Sequence, residues 1–411
     1  MKKNIEVEYS NKTILMVALD FPPCQSAGVQ RTLKFAEYLA DLGWEIVVLT
    51  VNENVYRNVD KQNIPDKINV YRCHSYDSSV DFAYKGKYFG WSKVPDRWWS
   101  WALKAIPMGK SLIKKYNPSV IWSTYPVSTA HYIGYKLHKF SRIPWVSDFR
   151  DPLQCRYDPT VKRYSSVAKW IEKKAIEHSS KAIFTTEKAV QMYQKLYPDE
   201  LLSKFNVIEN GFDEANFVGL PVIEKNEKGK FILLHSGSIY SDGRDPYKLF
   251  VALSELKKEG VISSKNFSLI FRGGVCTEKH NGNISELNID ELITFAPNIP
   301  YKSSLVEMMQ ADSLLILQGT LFNNQIPSKA YEYIRTGKPI VALTGKNGAT
   351  ESLLKKMSTG FSADNSEDLK KIIMNMVESE QSASEDISSF SRYAKTLELD
   401  KLLNKIVSCR D

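Results

Sequence analysis

Short apolar runs alternate along this chain with stretches in which apolar residues recur every three or four positions. Ile14–Leu19, Ile46–Thr50, Ile68–Tyr71, Val120–Thr124, Trp145–Asp148, Ala182–Thr186 and Val207–Ile208 predict buried strands. Helical patterns fill most of the gaps; in the clearest, Val29, Leu33, Ala36 and Leu39 share one face before Gly43 stops the helix. A second series follows at Phe231–His235, Phe267–Phe271, Leu314–Leu317, Ile340–Leu343 and Gly360–Ala363. Short strands alternating with helical patterns predict an α/β chain with parallel, doubly wound sheets. Between the series, residues 219–230 hold Gly219, Pro221, Glu224, Lys225 and Gly229 and read as a linker. A serine- and glutamate-rich patch, Glu378–Ser389, precedes a last helix, Phe390–Val407, with Leu399, Leu403 and Ile406 on its apolar side. The expected organisation is a first domain over 1–218, a linker over 219–230, a second domain over 231–389, and a terminal helix over 390–411 packing across the junction.

Size and charge narrow the picture. At 411 residues the chain exceeds what one core usually serves, which agrees with two domains. Five scattered cysteines, Cys24, Cys73, Cys155, Cys276 and Cys409, show no zinc or redox spacing and predict a reducing compartment. No apolar run reaches the length of a signal core or a membrane span, so a cytoplasmic protein is expected, either free or resting on the inner face of the cell membrane. The net charge of +8 suits an anionic substrate, an anionic membrane or simple solubility. Its lysines are dispersed and no nucleic-acid-binding signature is present, so nucleic acid is not an expected partner.

Candidate chemistry gathers where strands hand over to helices, the ligand end of a parallel sheet. The loop Asp20–Arg31 carries Gly28, which permits close backbone approach, ahead of helix amides that suit an anion; a plain proline-stiffened turn is the alternative. In Asp148-Phe149-Arg150-Asp151-Pro152 two carboxylates bracket an arginine, placed either to orient a hydroxyl or to shape the loop as an ion-pair network. His131 falls in the first turn of a helix over the same crevice. In the second series, His235-Ser236-Gly237-Ser238 ends a strand, and Arg244 follows within reach of a diphosphate. Lys329 and Glu332 open the helix after Leu314–Leu317: a point charge for a phosphate, and one turn on, a carboxylate able to accept from a ribose diol. There is no Asp-x-Asp pair, Walker loop, zincin motif or Gly-x-Ser-x-Gly elbow, which disfavours P-loop enzymes and nucleophilic hydrolases.

Taken in order, Phe21-Pro22-Pro23 to Arg31, Asp148-Phe149-Arg150-Asp151-Pro152, Asn210-Gly211-Phe212-Asp213, His235-Ser236-Gly237-Ser238 and Lys329-Ala330-Tyr331-Glu332-Tyr333 give a chain that resembles bacterial GT-B glycosyltransferases of the family 4 type. The resemblance implies two Rossmann-like domains facing a central cleft, and retaining transfer from a nucleotide diphosphate sugar to a hydroxyl acceptor without an essential metal or cofactor. Such transfer belongs to cell-surface polysaccharide, lipopolysaccharide, capsule or glycolipid assembly. It implies Arg244 and Lys329 at the diphosphate, Glu332 at the ribose, Gly28 and Gly237 near the phosphates, and His131 and Asp151 near the transferred sugar or acceptor. Asp148 and Arg150 would shape the acceptor loop. Many members carry Glu-x7-Glu; here Asn324 stands at the first position, which leaves the sugar open.

The segment Asp96–Lys115 mixes Trp98, Trp99 and Trp101 with four lysines, as a membrane-surface helix does, and a lipid-linked acceptor would supply the reason; packing inside the first domain is the alternative. Two further functions stay open: a nucleotide-sugar epimerase on the same fold, and an inactive nucleotide-sugar-binding or scaffold protein. A dinucleotide oxidoreductase is disfavoured because neither series carries the multiple-glycine fingerprint.

Overall fold

A computed structural model describes residues 12–26, 28–60, 63–85, 87, 90–153, 165–221, 229–239, 244–379 and 386–408. It divides into two compact units: residues 1–210 with 392–411, and residues 211–391. The expected linker at 219–230 lies inside the second unit, and residues 222–228 of it are outside the described residues.

The first unit runs β1 (Thr13–Val17), α1 (Val29–Asp41), β2 (Glu45–Val51), β3 (Ile68–Cys73), α2 (Trp101–Tyr116), β4 (Val120–Thr124), α3 (Ser128–Ser141), β5 (Trp145–Arg150), α4 (Ser165–His178), β6 (Lys181–Phe184), α5 (Glu187–Leu196) and β7 (Phe205–Val207). All strands are parallel in the order β3-β2-β1-β4-β5-β6-β7, so the sheet winds outward in both directions from β1 and β4. Because successive side chains point to opposite faces, β1 sends Leu15 and Val17 into one apolar layer and Ile14 and Met16 into the other. The first layer is covered by α2, α3 and α5, through Trp101, Leu112, Ala130 and Val190. The second is covered by α1, through Val29, Leu33 and Leu39, and by the C-terminal helix Arg392–Ser408, through Leu399, Leu403 and Ile406.

The C-terminal helix, reached by the chain only after the second unit, is a member of the first unit. Trp44 Nε1 donates to Asp400 Oδ1 (2.7 Å), and Lys395 pairs with Glu209 at 3.0 Å. Its apolar side was legible in the sequence; its partner, α1, was not.

The tryptophans of 96–115 turn inward. Trp101 is fully buried, Trp99 Nε1 donates to the Ser92 carbonyl (2.7 Å), and the Arg97 guanidinium lies over the Trp98 ring at 3.9 Å. The packing alternative therefore describes these rings, while Leu103 on the same helix is exposed.

The second unit runs β8 (Phe231–Ser236), α6 (Tyr247–Lys258), β9 (Phe267–Arg272), α7 (Glu278–Glu286), β10 (Ile293–Ala296), α8 (Tyr301–Gln310), β11 (Ser313–Gln318), α9 (Lys329–Thr336), β12 (Ile340–Thr344), α10 (Ala349–Leu354), β13 (Gly360–Ala363) and α11 (Ser366–Glu378). Its order, β10-β9-β8-β11-β12-β13, is again parallel, with the reversal between β8 and β11. The edge strand β10, four residues paired on one side only, was missing from the sequence-based expectation. Helix α9 ends at Gly337, whose φ of 68° is the left-handed conformation that closes helices, as its sequence predicts.

Candidate functional site

In the second unit the reversal point between β8 and β11 brings His235, Gly237 and Lys329 together. His235 ends β8 and is buried; its Nδ1 lies 2.9 Å from the Leu315 carbonyl of β11. A carbonyl can only accept, so Nδ1 carries the hydrogen and Nε2 offers a lone pair. Lys329 Nζ lies 3.2 Å from that Nε2 and donates to it. Burial first, then the Lys329 charge, holds the imidazole well below its ordinary pKa, so it stays neutral. Burial likewise pushes the Lys329 ammonium down to about 7, with Arg244 adding to the effect and Glu332 opposing it. An ammonium this poorly compensated is a ready receptor for an anion.

Gly237 makes the arrangement possible. Its φ is 116°, outside the range comfortable for a side chain, and a Cβ there would stand 3.0 Å from Lys329 Nζ. Glu332, one turn into α9, accepts a hydrogen bond from Tyr301 Oη (2.7 Å) at the start of α8. Tyr333 is fully buried, and its Oη accepts from the Ser236 backbone N–H (2.9 Å), locking α9 to the end of β8. Asn324 is half-buried in the turn ahead of α9.

Arg244 stands beside a cavity of about 410 Å³ at the carboxyl ends of β11 and β12, where α6 begins; Gln318, Thr320, Thr344 and Lys346 also line it. The guanidinium packs over the Phe322 ring, 4.9 Å from its centre. Neither Lys329 nor Glu332 lines this cavity, yet the Arg244 charge acts on both Lys329 and His235. The donor residues expected from sequence thus form two neighbouring groups.

In the first unit three strand ends converge. The Arg31 guanidinium donates to both oxygens of Asp148, from Nε at 3.0 Å and Nη2 at 2.9 Å, and further to the Ile208 and Glu209 carbonyls. Thr124 Oγ1 donates to Asp148 Oδ2 at 2.9 Å. Arg31 and Asp148 are both buried, so the pair ties α1 to β4 and β5 through Asp148 and to the end of β7 through Arg31. Of the two readings of this loop, the ion-pair network is the one its geometry fits for Asp148, and Arg31 is the partner sequence reasoning missed. Arg150 has φ 57° and donates to the Tyr125 carbonyl at 3.1 Å. A Cβ on Gly28 would fall 2.2 Å from Asp20 Oδ2 and 2.6 Å from Arg150 Nη1, so the loop glycine is required by close side-chain approach. Burial raises the Asp151 carboxyl above the usual range, with Arg150 and Arg31 opposing.

His131 is 2% exposed, 2.8 Å from Ser123 Oγ through Nδ1, and its ring packs on Phe149 at 4.7 Å. The Ser123 hydroxyl also accepts from Trp145 Nε1 (2.8 Å), and Gly134 leaves the space for this, since a Cβ there would meet both atoms inside 3.0 Å. Among the described residues Nε2 has no partner. Burial holds the imidazole neutral, with a pKa lowered to about 4. Ring and proton are enclosed, so its expected place near a sugar is not a direct exposure to solvent.

Residues 28–216 match the family model described as Glycosyltransferase Family 4. No curated protein sequence matches. Among solved structures, sucrose-phosphate synthase from Thermosynechococcus elongatus aligns over 97% of this chain and 100% of its own, with TM-score 0.64 and 14% identity. Anabaena HepE in complex with UDP and glucose aligns over 96% and 99%, with TM-score 0.60 and 15% identity. UDP-GlcNAc 2-epimerase from Methanocaldococcus jannaschii covers 96% and 99%, with TM-score 0.56 and 14% identity. The fold is GT-B, two Rossmann-like units, and the chain resembles the GT-B glycosyltransferases of family 4. Among the described residues no helix is long and apolar enough to cross a membrane.

Proposed function

We propose that this chain transfers a glycosyl group from a nucleoside diphosphate sugar to a hydroxyl acceptor. The observation that carries the reading is the Lys329 ammonium, held at the β8–β11 reversal above side-chain-free Gly237 and one helical turn from Glu332. A diphosphate there would receive the ammonium's charge, the start of α9, and the guanidinium of Arg244, while Glu332 accepts from the ribose. Transfer breaks the bond between the anomeric carbon and the diphosphate oxygen and joins that carbon to the acceptor oxygen. The acceptor proton leaves with the diphosphate, whose growing charge Lys329 and Arg244 offset in place of a metal. Retention of configuration, a polysaccharide or glycolipid pathway, and an acceptor carried on a lipid at the cytoplasmic face complete the reading. Asp151 is its acceptor-side carboxylate; His131 braces the end of β5 from beneath.

Thermal stabilisation by UDP-, GDP-, ADP- and dTDP-sugars, followed by product analysis with and without added acceptor, tests it. Sugar transfer that requires the acceptor supports the proposal. Interconversion of the nucleotide sugar with no acceptor would favour an epimerase, whose fold this chain shares; tight binding with neither reaction would favour an inactive binding protein.

A further inference from the structure

Glu172 is a carboxylate in the core of the first unit for which the chemistry above has no use. It is 1% exposed on α4 and accepts from two tyrosine hydroxyls, Tyr193 Oη at 2.7 Å and Tyr197 Oη at 2.6 Å. A hydroxyl has one hydrogen, and that of Tyr193 is committed to Glu172, so Oη turns a lone pair elsewhere. The Leu153 backbone N–H donates to it at 3.2 Å. The same ring packs on Phe149, with centres 5.5 Å apart. Tyr193, fully buried on α5, therefore holds the chain on both sides of Asp151, before it at Phe149 and after it at Leu153.

The backbone between those two points is strained and fastened in its strain. The pairing of β5 with β6 shifts register between Asp148 and Arg150, and Arg150 has a φ of 57°, a left-handed conformation uncommon for a residue with a side chain. Its carbonyl accepts from both the backbone N–H and the Oγ1 of Thr185, each at 3.0 Å. Such strain persists where the surroundings over-determine it, and a bulge at a strand end re-aims the side chains beside it. The side chain that follows is Asp151. It is half-buried, so a molecule at the strand ends can reach it. Among the described residues its only hydrogen bond is a long one, 3.5 Å from Thr185 Oγ1, whose hydrogen serves the nearer Arg150 carbonyl. The backbone is fixed while the carboxylate keeps its acceptor capacity, as suits a group that orients a hydroxyl from outside the chain. We propose that Tyr193 is a positioning residue for Asp151, its hydroxyl oriented by Glu172, and that Asp151 so held accepts a hydrogen bond from the acceptor hydroxyl. The inference rests on the transfer reading above and adds to it the buried pair that sets its acceptor-side carboxylate.

Transfer is assayed with UDP-, GDP-, ADP- and dTDP-glucose as donors and a panel of octyl glycosides as hydroxyl acceptors. Tyr193→Phe keeps the ring on Phe149 and removes the partner of the Leu153 amide; it is expected to lower kcat/KM for the acceptor about thirtyfold and to leave donor KM within about twofold. Combined with Asp151→Asn it should cost at most about a further twofold, because a positioning group has nothing to act through once the carboxylate is gone. Glu172→Gln, whose amide oxygen still accepts from Tyr193, should lose only about threefold. Losses that multiply in the double variant, donor and acceptor kinetics damaged alike, or a Tyr193→Phe enzyme with wild-type acceptor kinetics would overturn the assignment and leave the transfer reading standing. Hydrogen exchange of the Leu153 amide in the wild type needs no variant and no substrate. Protection is expected there, and exchange at the rate of an exposed amide would overturn the assignment even if Tyr193→Phe does not fold. A wild type that moves sugar from none of the donors would overturn the transfer reading, and this assignment with it.

Discussion

Lys329 Nζ rests 3.2 Å from His235 Nε2, so a cation in the second unit is solvated by a neutral ring whose other nitrogen is committed to the Leu315 carbonyl. Such an ammonium is uncomfortable alone and comfortable beside a phosphate. Lys329→Met is therefore expected to weaken nucleoside diphosphate binding at least tenfold while raising stability. The sign follows from protonation: a lysine ordinarily charged to pH 10.5 is lowered to about 7 here, so the unfolded chain binds the extra proton between those values. The burden is complete below about pH 7 and relieved as pH rises towards 10.5. Discounted for partial solvation, removing it should raise Tm by about 2–4 °C at pH 7. Calorimetric scans at pH 7 and pH 10 would show the gain shrinking; a variant less stable than wild type at pH 7 would contradict it.

Glu332 accepts from Tyr301 Oη, which orients its carboxylate across the start of α8. If it also accepts from the ribose, Glu332→Ala should cost roughly 1.5–3 kcal/mol of nucleoside diphosphate affinity and abolish discrimination against the 2′,3′-dideoxy analogue. Retained discrimination in titrations of the variant would refute the ribose contact.

Asp148→Ala leaves the Arg31 guanidinium buried and uncompensated. The expected loss is about 3–5 kcal/mol of stability, visible as an earlier urea transition of the first unit. A loss under about 1 kcal/mol would mean the pair is not the tie described above.

His131 makes the first unit acid-sensitive. Its pKa is lowered to about 4 from the ordinary 6.5, so the unfolded chain takes up a proton that the folded one refuses, and stability falls as pH drops from about 6.5 to 4. In the second unit, His235, buried and held neutral, acts with the same sign. Urea titrations of His131→Leu between pH 6.5 and 4.5 should give a shallower decline than wild type; an unchanged slope would exclude the buried neutral ring as its source.

Metal independence and membrane association are separate questions. Nucleotide-sugar binding that survives EDTA would support charge compensation by Lys329 and Arg244. For the membrane, the exposed residues Tyr76, Phe82, Tyr84, Lys85 and Lys87, more than the inward-facing tryptophans, are the ones to replace. Cosedimentation with anionic vesicles at low salt, weakened by Phe82→Ser with Tyr84→Ser, is the expected outcome.

The central strands β1, β11 and β12 were legible because each carries an uninterrupted apolar run, as in Leu314–Leu317, and the loop positions of Gly237 and Lys329 followed from strand meeting helix. What the sequence hid were pairings over long separations. Arg31 meets Asp148 across 117 residues, and nothing local in either segment specifies the other. The burial of His131 depended on Ser123, Trp145 and Gly134, three residues ordinary by themselves. Strand β10, short and on an edge, lacked the apolar run that betrays a central strand.

The helix Arg392–Ser408 completes the layer that α1 begins, and everything between residues 211 and 391 belongs elsewhere. On the ribosome, the second unit has all its residues before the first does. The chain that carries Val29, Leu33 and Leu39 must wait with part of that surface uncovered until Leu399 and Leu403 emerge. A nascent chain stopped at residue 391 would hold a whole second unit and an unfinished first one, so the first unit's apolar layer stays open to aggregation until Arg392–Ser408 has been made.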